Sequence, residues 1–130
     1  DLAHKYINSD NELAVDFFIT FEREARKYFS GLVFATHSIN DVVPESSDKT
    51  ILGKIKTLFE LTQYKFIMQQ DNNAKKALET IFEGQLNENE INNIPTFGQG
   101  DTTLIINGMN NITFHVEISE EEKILFEGGV

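Results

Sequence analysis

The chain has 130 residues, 40% of them apolar and 25% charged, with a formal net charge of −10 and no cysteine. Those values fit one globular domain and exclude wholesale disorder, a disulfide scaffold and a thiolate metal site. No apolar run approaches the ~18 residues that a membrane span requires.

Ser9-Asp10-Asn11-Glu12 reads as a helix start, with Ser9 and Glu12 at capping-box spacing. Leu13, Ala14, Phe17, Phe18, Phe21, Ala25, Tyr28 and Phe29 then recur at helical spacing as one wide apolar stripe, and Gly31 is expected to end it. Leu32-Val33-Phe34-Ala35 is a continuous apolar run, the mark of a strand covered on both faces. Ser47 opens a second helix carrying Ile51, Leu52, Ile55, Leu58 and Phe59 on one side, and Tyr64 to Met68 reads as another buried strand. Asp71 is placed to cap a third helix with the stripe Ala74, Ala77, Leu78, Ile81 and Phe82, closed by Gly84.

Asn87 and Glu90 repeat the cap-plus-acid spacing for a short fourth helix that must stop before Pro95. Phe97-Gly98-Gln99-Gly100-Asp101 is turn chemistry, and Thr103–Ile106 with Ile112–Ile118 form a hairpin across a loop containing Gly108. Alternation in the second of these strands leaves one face wet. The order of elements is an α/β layout in a single domain over residues 1–130, with parallel strands first and an antiparallel hairpin closing the sheet.

Charge is unevenly spread. Residues 77–130 carry ten acids and one base, so this third repels nucleic acid and anionic lipid. Lys54, Lys56, Lys65, Lys75 and Lys76 in the middle read as solvated helix surface, and direct nucleic-acid binding is not expected.

Two groups of residues are candidates for chemistry. Thr36-His37-Ser38, with Asp41 shortly after, follows the first apolar run, and ligands gather beyond the carboxyl ends of strands in open α/β sheets. Arg23 and Arg26 are the only arginines, and arginine suits a planar fork that meets phosphate or carboxylate. A surface ion pair from Glu22 to Arg26 is the simpler use of the second. No Gly-Lys-Ser/Thr phosphate loop occurs, and His4, His37 and His115 lack the spacing of a helical zinc pair.

In their order and spacing, several segments resemble the conjugative-transfer ATPases of type IV secretion systems, the TraC/TraE-like motors. They are Asp1-Leu2-Ala3-His4, the helix ending Arg26-Lys27-Tyr28, and Gly31-Leu32-Val33-Phe34-Ala35-Thr36-His37-Ser38 with Asp41. Leu86-Asn87-Glu88-Asn89-Glu90 and Gly98-Gln99-Gly100-Asp101 before Leu104-Ile105-Ile106 extend the likeness over nearly the whole chain. The resemblance implies the carboxyl-terminal half of a three-layer RecA-like P-loop NTPase domain with a mostly parallel sheet, cut at its Walker B motif. The Walker A loop then lies upstream of Asp1, and a severed sheet is expected to expose an edge or face and to associate.

By the same resemblance, Asp1 is the Walker B acid that holds magnesium through its water shell. His37 takes the sensor position, where the family usually has glutamine, and Thr36 stands beside it in the nucleotide-binding set. Arg26, or else Arg23, is the arginine finger that reaches a neighbouring subunit's nucleotide in a hexamer. Leu2 departs from the pattern, because it stands where the family has its catalytic glutamate. ATP, magnesium, other secretion subunits and a place at the cytoplasmic face of the inner membrane are implied for the parent protein, with no cofactor and no turnover for this chain alone. The competing expectation is a non-enzymatic α/β interaction module whose acidic tail (Glu120, Glu121, Glu122, Glu127) meets a basic partner.

Overall fold

The computed structural model describes Ile7, residues 11–43 and residues 48–127. Helix α1 spans Glu12–Ala25. Ser9 lies outside the described residues, and Asn11 does the capping, its Oδ1 accepting the Ala14 N–H at 3.3 Å. The buried side of α1 is Val15, Ile19 and Ala25, so the helix is rotated from the expected stripe. Leu13, Phe17, Tyr28 and Phe29 are exposed instead. The reason is that α1 packs along α3 (Lys49–Leu61) through Val15 and Ile19, and the Lys54 ammonium binds Glu12 at 2.6 Å and Asp16 at 3.0 Å at the exposed edge of that contact.

A 3-10 turn over Arg26–Tyr28 follows, and Phe29 takes the left-handed conformation at φ 53°. The Ser30 N–H then closes on the Ala25 carbonyl at 3.0 Å. The helix is thus terminated two residues before Gly31 by a side chain that pays about 1 kcal/mol for the geometry.

The expected buried strand at Leu32–Ala35 is not formed. The segment is extended and its residues alternate between half-buried and exposed, with Val33 96% exposed. Its backbone makes no hydrogen bond to another described residue, because no described strand lies beside it. Phe34 turns inward and meets Phe59 edge to face at 5.6 Å; Phe59 meets Phe82 likewise at 5.7 Å.

A short helix not anticipated from the sequence, α2 (Ile39–Val42), follows with Ser38 as its cap. The expected start of α3 at Ser47 also lies outside the described residues; Asp48 caps that helix, its Oδ1 accepting the Thr50 N–H at 2.7 Å. Ile51, Ile55, Leu58 and Phe59 are buried as the periodicity requires. Strand β1 is Tyr64–Ile67.

A 3-10 turn over Asn72–Ala74 leads into α4 (Lys75–Ile81). The Asp71 side chain makes no cap bond there, but Ala74, Ala77, Leu78, Ile81 and Phe82 are all buried. Gly84 closes the segment at φ 77°. Helix α5 (Glu88–Asn93) has the full capping box between Asn87 and Glu90 and passes into a 3-10 turn at Ile94–Thr96.

Strands β2 (Asp101–Ile106) and β3 (Ile112–His115) form the expected hairpin. The sheet order is β1-β2-β3, and both pairings are antiparallel, with Phe66 opposite Leu104 and Leu104 opposite Ile112. The mostly parallel sheet is therefore corrected for the described strands: β1 finds its partner in the returning hairpin. Helix α6 (Glu120–Glu127) then occupies the stretch of the acidic tail, capped by Ser119, whose Oγ accepts the Glu122 N–H at 3.2 Å. No helix of the described residues is long and apolar enough to cross a membrane.

The two faces of the sheet differ. Lys65, Ile67, Thr103 and Ile105 point into the core, whereas Tyr64, Phe66 and Ile112 on the other face are exposed. Lys65 is 6% exposed, and its ammonium donates to the carbonyls of Phe59 at 3.1 Å and Thr62 at 2.7 Å and to Asn107 Oδ1 at 2.8 Å. Burial holds its pKa below the usual lysine value. Lys65→Met is expected to destabilise the fold by about 2 kcal/mol, since it strips charged donors from the last turn of α3. Urea denaturation checks this.

Candidate functional site

The polar residues singled out after the first apolar run lie at a corner that two chain segments build together. Ser38 Oγ accepts the Asn40 N–H at 3.2 Å and so starts α2. Gln70, just beyond β1, reaches across: its Oε1 accepts the Ile39 N–H at 3.0 Å, and its Nε2 donates to the His37 carbonyl at 3.2 Å. Asn40 donates to Asn73 at 3.1 Å, and Gln69 donates to the Pro95 carbonyl at 3.4 Å. The carboxyl end of the extended segment 31–36 and the carboxyl end of β1 are thereby fastened side by side.

His37 is exposed at this corner. The Thr36 hydroxyl donates to the Ser38 carbonyl at 3.5 Å, which fixes the loop. Arg23 is exposed in the last turn of α1, on a different element from His37. The side chain of Arg26 and all of Asp1 and Leu2 lie outside what is described. Of the expected set, Thr36 and His37, neighbours in the chain, stand at this corner, and Arg23 stands on another element.

Among the described residues no group of three His, Asp or Glu could hold a metal ion. The corner can present an imidazole and amide groups to a ligand. Gln70 and Asn73 were missed in the sequence. The signal was available, because Gln69-Gln70 follows an apolar run in the same way as Thr36-His37 does.

A second polar assembly is the turn before β2. Asp101 Oδ2 accepts the Gly98 N–H at 2.9 Å, while Oδ1 meets His115 Nδ1 at 2.8 Å. The Gly98 bond first, and His115 second, hold the Asp101 carboxyl below its usual pKa. Gly100 adopts φ 90°, and a Cβ there would lie 2.8 Å from the Val116 carbonyl oxygen. Only glycine fits. The bond from Val116 N–H to the Gly100 carbonyl, 2.8 Å, extends the hairpin past His115.

No protein-family model matches the chain. The chain is 35% identical over 131 residues to an uncharacterized Bacillus anthracis protein, pXO2-09, matching 99% of its own length but 20% of that protein's. Its structure resembles VirB4 of Thermoanaerobacter pseudethanolicus with a TM-score of 0.74 at 19% identity, over 95% of this chain and 31% of that one. The fold is that of a part of VirB4. The chain spans about a fifth of the one relative and about a third of the other.

Gln70→Ala is expected to free the His37–Ile39 loop, speeding exchange of the Ile39 amide and costing about 1 kcal/mol of stability. Hydrogen exchange read by NMR checks both. For Asp101 the sign follows from its depressed pKa: the contribution is present above the ordinary aspartate value and lost as pH falls through the folded one. Thermal melts are expected to show a fall below about pH 4 that is smaller in Asp101→Asn.

Proposed function

We propose that this chain is the rear portion of the ATP-hydrolysing motor domain of a type IV secretion protein, acting within a longer polypeptide. The observation that carries the reading is the likeness to VirB4 over nearly the whole chain, while two thirds of the VirB4 chain lies outside the match. The extended segment 31–36, whose backbone bonds to no described strand, supports it. Such an apolar stretch is what a sheet looks like when the neighbouring strand lies outside the described residues. The exposed sheet face bearing Tyr64, Phe66 and Ile112 supports it too, because in a three-layer RecA-like fold that face carries a second layer of helices.

On this reading Thr36 and His37 stand at the nucleotide's phosphates and Asp1 holds hydrated magnesium. Arg26, or Arg23 in its place, stabilises the charge that develops on a neighbouring subunit's nucleotide in a hexamer. The proposed partners are copies of itself and the other secretion subunits, at the inner face of the cell membrane. Phosphoryl transfer is almost entirely positioning and electrostatics, so a chain without the Gly-Lys-Ser/Thr loop has nothing to position.

Isothermal titration of the chain alone is expected to show no tight ATP binding, and micromolar affinity would contradict the reading. In a longer polypeptide carrying an upstream phosphate loop, ATP turnover is expected. Arg26→Ala is expected there to lower kcat by about a thousandfold while leaving nucleotide binding intact.

A further inference from the structure

We propose that Asn107 is a site of covalent self-modification, a deamidation that the native fold blocks and that proceeds when the end of β2 opens. Asn107 is the one asparagine in the chain followed by glycine. In that pair no side chain shields the Gly108 nitrogen, which can attack Cγ of the asparagine. The attack closes a five-membered imide. A bond forms between the Gly108 nitrogen and Cγ, the Cγ–Nδ2 bond breaks, and the Gly108 amide proton ends on the departing ammonia. Water then opens the ring at either carbonyl and leaves aspartate or isoaspartate.

Two features hold the reaction off. The first is the turn. The Met109 N–H bonds the Ile106 carbonyl at 3.0 Å, and Gly108 stands at φ 80°. Phe29 is the single described residue other than glycine with positive φ, so this turn is type II, with ψ of Asn107 at about +120°. In an L-residue that ψ puts the Gly108 nitrogen about 120° from Cβ around the Cα–C bond, whereas ring closure needs the two nearly eclipsed. The second is the side chain. Nδ2 donates to the carbonyls of Glu60 at 3.0 Å and Thr62 at 3.2 Å, and Oδ1 accepts from Lys65 Nζ at 2.8 Å. Both ends of the amide are held, so Cγ does not swing toward the nitrogen. The Lys65 charge polarises Cγ, but polarisation does nothing for a nucleophile out of reach. Gly108 itself is exposed, so the block is geometric and not an exclusion of water. Conversion is one-way: a carboxylate oxygen in place of Nδ2 turns an acceptor toward two carbonyls, and isoaspartate adds a backbone carbon to the turn.

The test incubates the full chain at mildly alkaline pH, native and in guanidinium, and reads peptides covering Asn107 by mass spectrometry for the one-dalton gain and for isoaspartate. The gain is expected to accumulate at Asn107 in guanidinium, and at least about tenfold more slowly in the native chain. In guanidinium Gly108→Ala is expected to slow it strongly, a comparison that does not depend on how the variant folds. At sub-denaturing guanidinium the native rate is expected to rise in step with exchange of the Asn107 amide, which reports opening of its bond to the Gln63 carbonyl. The converted chain is expected to unfold at lower guanidinium than the original. Equal rates in the native and denatured chain would overturn the proposal. So would a gain that maps first to another asparagine in guanidinium, a native rate that stays flat while the Asn107 amide exchanges faster, or an unfolding midpoint unchanged by conversion.

Discussion

The ammonium of Lys65 and the amide of Asn107 together hold the last turn of α3 against the sheet. Lys65 donates to the carbonyls of Phe59 and Thr62, and Asn107 Nδ2 donates to those of Glu60 and Thr62 at 3.0 and 3.2 Å. Helix ends leave carbonyls without intrahelical partners, and here those orphans are satisfied by groups from the start of β1 and the end of β2. The N–H of Asn107 returns to the Gln63 carbonyl at 3.1 Å, so helix, strand and hairpin share one knot. The lysine can be buried because every bond it makes offsets desolvation.

From that knot the rest of the packing follows. With α3 fixed across one face of the sheet, Ile55 and Leu58 are fully enclosed and Phe59 links Phe34 to Phe82. Helix α1 then has one place to sit, clamped by Lys54, and its outer side is left bare. The same arrangement leaves Tyr64, Phe66 and Ile112 exposed on the far side of the sheet. Among the described residues there is thus one satisfied core, and apolar side chains are exposed on the outside of α1, along the extended segment 31–36 and on the outer sheet face. Exposed apolar area of this extent on a small domain marks surfaces that meet other protein.

How much could be read in advance differs from element to element. The Asn87–Glu90 capping box, the α4 stripe and the hairpin around Gly108 were all legible, because each is set by interactions within a few residues. The corner at His37 was half legible. Thr36, His37 and Ser38 stood out by their position after an apolar run; the residue that holds them, Gln70, has the same kind of position, but it comes from 33 positions further along and nothing local says that the two meet. The strand at Leu32–Ala35 failed for a related reason. Its composition is that of a buried strand, but a strand exists only when a neighbour supplies hydrogen bonds.

The amino-acid sequence by itself determined the positions of most helices, the turn at Gly100 and the residues available for chemistry, since capping, periodicity and left-handed glycine are properties of short stretches. Tertiary structure alone decided which side of α1 faces inward, that β1 pairs antiparallel with β2, and that Lys65 is buried beneath the end of α3. Those outcomes depend on contacts between residues tens of positions apart. Their energies arise only when the segments are packed together, and no window of sequence contains both partners.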